Sequence, residues 1–408
     1  MNISLRCLSK FVLLFLTVMV LTACGGGSDD TITTEDAAAG SLVKAETLSA
    51  YSMRNTDFRL IAFSLISGQN YNVDVVKLTY NTALEDGLIV QASGIVAIPE
   101  SKVGPSPLLS YQHATIFKDT AAPSNNPLFD MTPILAASAG FVTVAPDYIG
   151  YGVSKSLTHP YIQAIPAANS VIDLLRAAKS YLQQREITLN GQLFLAGYSE
   201  GGYATLAAHQ RIESEFSDEF TVTSSIAGGG PYDIRGTADQ IILNEATLES
   251  PAYFGYVVHA YDRMYDLDNL TLRAIASPHH MTIDNYYDGN STGSTINAIL
   301  PRNTSELFNS YFQSEYAGIV GELTLKYRLD QNNVYDWKPA APVRLFHGQN
   351  DNYVGYANAS TALSTMQANG AASVSLTDCT RVPSTHVNCG VEFATFAMGY
   401  LFTLATDR

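Results

Sequence analysis

The residue best placed to do chemistry is Ser199, in the stretch Leu193-Phe-Leu-Ala-Gly-Tyr-Ser-Glu-Gly-Gly202. An apolar run ends in Gly197-Tyr198-Ser199-Glu200-Gly201, and Tyr203-Ala-Thr-Leu-Ala-Ala208 then has the small, apolar character of a buried helix. That order predicts a strand, a sharp turn and a helix, with the serine held in a strained backbone conformation and its hydroxyl presented at the turn. Gly197 and Gly201 suit such a turn because a side chain at either place would collide with the folded-back chain. A neutral hydroxyl is a poor nucleophile, so the reaction needs an imidazole to take its proton and a carboxylate to orient that imidazole. Both occur late in the chain. Val343-Arg-Leu-Phe-His-Gly-Gln-Asn-Asp-Asn-Tyr-Val354 reads as a strand, a His-Gly turn and then Asp351, and Cys379-Thr-Arg-Val-Pro-Ser-Thr-His-Val-Asn-Cys389 places His386 in a loop ahead of the last helix. Without such partners, Ser199 would be an inert residue in a glycine-rich turn.

Other residues compete for these roles. Asp233 also follows a strand and is the alternative acid, but it precedes a long insertion and lacks the His-Gly turn that favours Asp351. Asn350 is an amide and cannot serve. His113 and His347 sit in strand-end turns and read as structural, and Asp147 in Ala-Pro-Asp-Tyr reads as a buried structural carboxylate. His279 and His280 are adjacent in a polar segment and are expected to face solvent, with no H-E-x-x-H spacing beside them. No metal or other cofactor is called for.

The elements that must position these side chains alternate. Val73 to Thr79 and Leu88 to Ile98 read as β-branched strands joined by a turn at Glu85-Asp86-Gly87. Leu108–Tyr111, Phe141–Ala145, Leu193–Ala196, Val222–Ala227, Val343–Phe346 and Val374–Leu376 are short apolar or β-prone runs, as expected of strands covered on both faces. Between them lie helical patterns: Ala168, Val171, Ile172, Leu175, Ala178 and Leu182 share one face, as do Ala359, Ala362, Leu363 and Met366, and Phe393, Phe396, Ala397, Tyr400 and Leu401. The fold class expected is α/β, a mostly parallel sheet with right-handed crossovers and helices on both faces. Residues 46–233 and 340–408 form its core. Residues 234–339, dense in Tyr, Asn and Asp, are too long for a structureless loop and read as a mainly helical cap. Tyr253, Phe254, Tyr256, Tyr261, Tyr265, Tyr286, Tyr287, Tyr311 and Phe312 are candidates for its inner lining or for its own small core.

The first 23 residues read as an export signal, with Arg6 and Lys10 ahead of an apolar core from Phe11 to Leu21 that is too short to span a bilayer. It ends in Leu21-Thr22-Ala23-Cys24, which resembles the lipobox of bacterial lipoproteins and implies acylation of Cys24; a secreted protein cleaved nearby is the alternative. Residues 24–45, rich in Gly, Ser, Thr, Asp and Ala, read as a flexible tether. Gly25 after the cysteine favours an outer-membrane anchor in the cell envelope. The chain carries 38 Asp and Glu against 23 Lys and Arg, a net charge of −15, which argues against nucleic acid as a partner. Cys379 and Cys389 remain once Cys7 leaves and Cys24 is acylated, and in an oxidising compartment they are expected to form a disulfide, a metal pair lacking further ligands nearby.

With Ser110-Tyr-Gln-His-Ala-Thr115, Ala145-Pro-Asp-Tyr-Ile-Gly150, Gly197-Tyr-Ser-Glu-Gly-Gly202, Gly228-Gly-Gly-Pro-Tyr-Asp233 and His347-Gly-Gln-Asn-Asp351, the chain resembles the α/β-hydrolase superfamily. More narrowly it is similar to secreted bacterial and fungal lipases of the yeast lipase A type, from about Val73 to Leu404. The resemblance implies an α/β-hydrolase fold and hydrolysis of a small-molecule or lipid carboxylic ester by Ser199, Asp351 and His386, with a cap inserted after the sixth core strand. The oxyanion would be held by the backbone N–H of Glu200 and one from His113, Ala114 or Thr115. Ala114 departs from the glycine usual in a Gln-His-Gly-Thr run, which bears on that hole and not on the reaction class. A serine peptidase on the same scaffold, a silent surface binding lipoprotein and an acyltransferase are the alternative functions. Chain-length preference and oligomeric state are not written in residue types.

Overall fold

The computed structural model describes residues 38–51 and 71–408; the export signal, Cys24 and the tether as far as residue 37 lie outside the described residues. Nine strands make one sheet: β1 (Leu42–Tyr51), β2 (Val73–Ala83), β3 (Ile89–Pro99), β4 (Ser106–Gln112), β5 (Val142–Pro146), β6 (Leu189–Tyr198), β7 (Ser224–Gly228), β8 (Val343–His347) and β9 (Val374–Asp378). Their order is β1-β2-β3-β5-β4-β6-β7-β8-β9. The first three are antiparallel, β3 pairs antiparallel with β5, and β5 through β9 run parallel. Gly87, at φ +85°, makes the β2–β3 turn, where the Leu88 N–H donates to Asp86 Oδ1 at 2.9 Å.

The tether was expected to run to Ala45, yet β1 begins at Leu42, with Ala45 opposite Leu78 of β2. Most of its side chains are exposed, so it carries no buried face to mark it. Backbone pairing with the edge of β2 orders it instead.

Among the described residues three helices come before the insertion, α1 (Thr132–Ser138), α2 (Ala164–Gln184) and α3 (Glu200–Glu215). Seven lie between β7 and β8: α4 (Ile234–Ile242), α5 (Pro251–Tyr265), α6 (Leu270–Ala274), α7 (Gly293–Ile299), α8 (Thr304–Leu307), α9 (Ser310–Ala317) and α10 (Leu323–Gln331). Two flank the last strand, α11 (Ala357–Ala368) and α12 (His386–Leu404).

Alternation along the parallel strands decides which helix covers which face. Leu193 and Leu195 pack with Val171, Leu175 and Leu206 of α2 and α3, whereas Phe194 and Ala196 pack with Phe393, Ala397 and Leu401 of α12. α12 is long and apolar enough to cross a membrane by length and composition, but those three residues seat it against the sheet. The helices of the insertion share the α2/α3 side of the core. Tyr261 donates to the Ile162 carbonyl at 3.0 Å and Tyr203 to the Asn332 carbonyl at 2.9 Å, tying the insertion to the α2 and α3 layer.

Strand order sets where a ligand can enter. The chain adds β5 on one side of β4 and β6 on the other, so the loops leaving β4 and β6 diverge at a topological switch point. Ser199 stands at the carboxyl end of β6, at that crevice.

Candidate active site

Ser199 follows the last residue of β6 and precedes the first of α3, at φ 60° and ψ −122°, a conformation that L-residues adopt at a cost. Its N–H donates to the Gly228 carbonyl at 2.8 Å, and its own carbonyl accepts the first helical bond from Tyr203 at 3.1 Å. The turn is tight enough to require its glycines. A Cβ on Gly201 would fall on the Gln112 carbonyl oxygen and one on Gly197 on the Gly201 carbonyl.

His386 is brought to Ser199 by the segment after β9. It is the first residue of α12 and not in a loop ahead of it, because Thr385 already accepts a helical bond from the Cys389 N–H at 3.0 Å. The Cys379–Cys389 disulfide, with Cα atoms 5.7 Å apart, joins the end of β9 to the first turn of that helix. His386 Nε2 lies 2.8 Å from Ser199 Oγ, and Nδ1 lies 2.7 Å from Asp351 Oδ2. Tyr198 and Tyr353 flank the imidazole at ring-centroid distances of 5.0 and 5.1 Å, and the Tyr198 hydroxyl donates to the His386 carbonyl at 2.7 Å. Asn352 Oδ1 accepts from the His386 N–H at 3.3 Å.

The Asp351 side chain is buried and well partnered. Oδ1 accepts from the N–H groups of Tyr353 and Val354, each at 2.9 Å, while Oδ2 faces His386 and, at 3.3 Å, His347 Nε2. Burial alone would raise its pKa, but the hydrogen bonds and charge of His347 and His386 outweigh burial and hold the carboxyl well below the usual carboxylate range. The carboxylate is therefore present as an acceptor for the imidazole Nδ1–H. His347, a strand-end residue whose Nε2 donates to the Val354 carbonyl at 2.8 Å, stands beside the same carboxylate oxygen that faces His386.

The rival residues sit elsewhere. Asp233 caps α4, accepting from the Gly236 N–H at 2.8 Å. Asp147 is fully buried and accepts from the Ser93 and Ser124 hydroxyls and the Ser124 N–H, a structural carboxylate. His279 and His280 lie in a short 3₁₀ turn and are half-buried, not solvent-facing. Among the described residues no group of three or more His, Cys, Asp or Glu is placed to hold a metal.

Of the residues expected at an oxyanion hole, Glu200 is the first residue of α3, where N–H groups have no intrahelical acceptor. The chain leaving β4 abuts this helix start, since the Gln112 and His113 carbonyls crowd Gly201. His113, Ala114 and Thr115 line a separate hollow of about 440 Å³ with Tyr111, Ile116 and Phe129. The His113 ring bonds the Ala114 carbonyl at 2.7 Å, and the Thr115 hydroxyl bonds the Tyr161 hydroxyl at 3.0 Å.

Ser199 and Glu200 open onto a cavity of about 940 Å³ walled by the insertion. Tyr253, Phe254, Tyr261 and Phe312 line it, together with Ile241, Val257, Val258, Leu325 and Leu329. Tyr256, Tyr265, Tyr286 and Tyr287 pack into the core instead, and Tyr311 is 73 % exposed.

One pair beside Ser199 had no signal in the sequence. His159 Nε2 lies 2.8 Å from Glu200 Oε1, both side chains buried, in a nest of Tyr148, Tyr151, Tyr161 and Tyr256. The two residues are 41 positions apart, and no local pattern links them. The Tyr198 and Tyr353 flanks of His386 went unread for the same reason, although Tyr353 stands only two places after Asp351.

This arrangement has counterparts. A model of the secretory lipase family matches residues 127–398. The rice cell wall degrading esterase LipA from Xanthomonas oryzae superposes with a TM-score of 0.79 at 26 % identity, over 90 % of this chain and 98 % of that one. A hydrolase of Legionella pneumophila, described as putative, gives 0.78 at 27 % identity, covering 88 % and 98 %. Candida antarctica lipase A shares the fold, with a TM-score of 0.64 at 19 % identity over 86 % of this chain and 78 % of that one. Among curated proteins, none matches the chain.

Proposed function

The chain belongs to the secretory lipase family, and from that premise we propose that it hydrolyses carboxylic esters through an acyl-enzyme on Ser199. The observation that carries this reading is the unbroken series of contacts from Ser199 Oγ through His386 to Asp351, at 2.8 and 2.7 Å. Ser199 attacks the ester carbonyl as His386 Nε2 takes its proton. Asp351 fixes the imidazole tautomer and stabilises the imidazolium. The same proton then goes to the departing alcohol, and water, activated in turn by His386, releases the acid. The developing oxyanion is held by the Glu200 N–H and one N–H of the His113-Ala114-Thr115 loop, each worth about 3 to 4 kcal/mol in the transition state.

The cavity argues for an apolar acid. Its wall is mostly aliphatic and aromatic and opens on Ser199, so an acyl chain lodged there leaves water while its carbonyl stays at the hydroxyl. Such a wall offers little to a peptide's many polar groups, which favours the esterase reading over the peptidase. Cys24, by the lipobox it ends, would carry acyl groups and hold the enzyme on the outer membrane; the loss of palmitate labelling in Cys24→Ala tests that anchor.

The test of the reaction is a series of nitrophenyl esters from acetate to palmitate, run beside peptide anilides, with wild type and Ser199→Ala. Ester turnover that vanishes with Ser199→Ala is the expected result. Equal rates in the two proteins would remove Ser199 from the mechanism, and anilide cleavage without ester cleavage would overturn the reaction class.

A further inference from the structure

Glu200 is 5 % exposed, lines the cavity beside Ser199, and is the one carboxylate in an otherwise apolar and aromatic wall. Burying such a group is costly unless it is paired, and its pairing is unusual. His159 Nδ1 sits 2.7 Å from the Ile149 carbonyl, which can only accept, so Nδ1 carries a proton. Nε2 faces Glu200 Oε1 at 2.8 Å, and a second proton lies between them. Whether that proton resides on the imidazole or on the carboxyl, the pair as a whole is neutral. One Glu200 oxygen is thus satisfied, and Oε2 has no hydrogen-bond partner among the described residues.

The tyrosines around this pair do not supply one. Tyr151 and Tyr256 share a hydrogen bond at 2.8 Å, Tyr161 is engaged by Thr115, and Tyr148 donates to the His113 carbonyl. Tyr253, across the cavity, has its hydroxyl pushed up to about 12 by burial and remains protonated, a donor that can equally accept. The neighbourhood therefore leaves one acceptor open to the cavity next to Ser199, with no protein donor among the described residues in hydrogen-bond contact with it.

We propose that Glu200 Oε2 is a substrate-binding acceptor for a hydroxyl on the acid portion of the ester, and that the preferred substrates are esters of hydroxy acids. This rests on the reading that the cavity holds the acyl chain. A neutral hydroxyl fits better than an ammonium group. His159 already balances the carboxylate, so a cation would bring an uncompensated charge into an apolar chamber. A plain acyl chain leaves Oε2 buried without a donor, and a site built around a polar partner discriminates against the analogue that lacks it.

The experiment compares kcat/KM for p-nitrophenyl butyrate with that for the 2-hydroxy-, 3-hydroxy- and 3-aminobutyrate esters, each corrected for its own rate with hydroxide. In wild type, one of the hydroxy esters is expected to exceed butyrate by about tenfold or more, and the amino ester to fall below it. The same ratio is then taken in Glu200→Gln and Glu200→Leu. Any shared loss at the oxyanion site cancels in the ratio, which should fall toward one in Glu200→Leu and be kept in part in Glu200→Gln, whose amide oxygen still accepts. A wild-type ratio near one, or a ratio unchanged in folded Glu200→Leu, overturns the proposal; if Glu200→Leu does not fold, the wild-type ratio decides alone. Ser199-dependent turnover of plain butyrate with no hydroxyl preference sinks this inference and leaves ester hydrolysis standing, whereas no Ser199-dependent turnover of any ester sinks the reading beneath it.

Discussion

On the proposed mechanism, Asp351 does two kinds of work that can be separated by pH. As the partner of His386 Nδ1 it sets the imidazole tautomer, so Asp351→Asn should lower kcat by a factor on the order of 10³ to 10⁴ while KM moves little. As a buried carboxylate whose pKa is depressed by His347 and His386 against the opposing pull of burial, it also stabilises the fold. A carboxyl lowered on folding contributes in full above about pH 5, and its contribution is lost as pH falls through the unfolded value near 4 toward the folded one. The urea midpoints of wild type and Asp351→Asn should therefore differ most at pH 7 and draw steadily closer as pH falls below about 4; a gap that holds or widens in acid contradicts the assignment. Ser199 offers the opposite trade. At φ 60° its backbone is strained for any residue with a Cβ, so Ser199→Gly should be more stable than Ser199→Ala by about 1 kcal/mol, with both inactive. Equal denaturation midpoints would mean that the elbow stores no strain. These three residues were legible because each lies in a short turn whose composition announces it. Glu200 and His159 were not, since Glu200 drew notice only for its N–H and its side-chain partner is 41 residues away.

At the level of elements, the His386 segment is held by three restraints of different kinds. The disulfide closes it, Gly348 leaves room for it by having no Cβ to strike the Ser384 carbonyl and Cys389 Sγ, and Ser384 bonds Asn350 on the acid turn at 3.1 Å. Opening the bridge releases only the first. By the chain-entropy model a loop this short contributes about 2 to 3 kcal/mol, and freeing it lets His386 leave its line with Ser199. Reduction and alkylation of Cys379 and Cys389 should thus lower both thermal stability and kcat, with KM nearly unchanged. Undiminished turnover in protein shown by mass to carry both alkyl groups would refute the coupling. The sheet strands could be read in advance because burial on both faces leaves continuous apolar runs, as in Leu193–Ala196. β1 could not, because an exposed edge strand needs only backbone pairing, and the start of α12 could not, because Thr385 and His386 carry no helix-opening pattern beyond the threonine itself.

For the molecule as a whole, the insertion turns an exposed elbow into a chamber. A hundred residues between two strands announced that something had to be built there, and the helical content follows from the need to satisfy that much backbone. Its inner face was legible only in part: Tyr253, Phe254, Tyr261 and Phe312 of the named aromatics line it, and the others do not. The helices are short, several under two turns, so hydrophobic period cannot separate a wall residue from a core residue, and Tyr311 and Phe312 end on opposite sides despite being neighbours. The chamber makes a sharp prediction about substrate length. Val258 of α5 is part of the wall, and a larger side chain there should fill space an acyl chain would use without touching Ser199, His386 or Asp351. Val258→Trp is expected to keep acetate and butyrate turnover within a few-fold and to lower kcat/KM for decanoate and longer esters by about tenfold or more, since each excluded methylene forfeits roughly 0.8 kcal/mol of burial. A palmitate-to-acetate ratio the same as in wild type, with the variant's folding verified by its thermal transition, would place the acyl chain outside this cavity and remove the basis for reading its wall as the specificity surface.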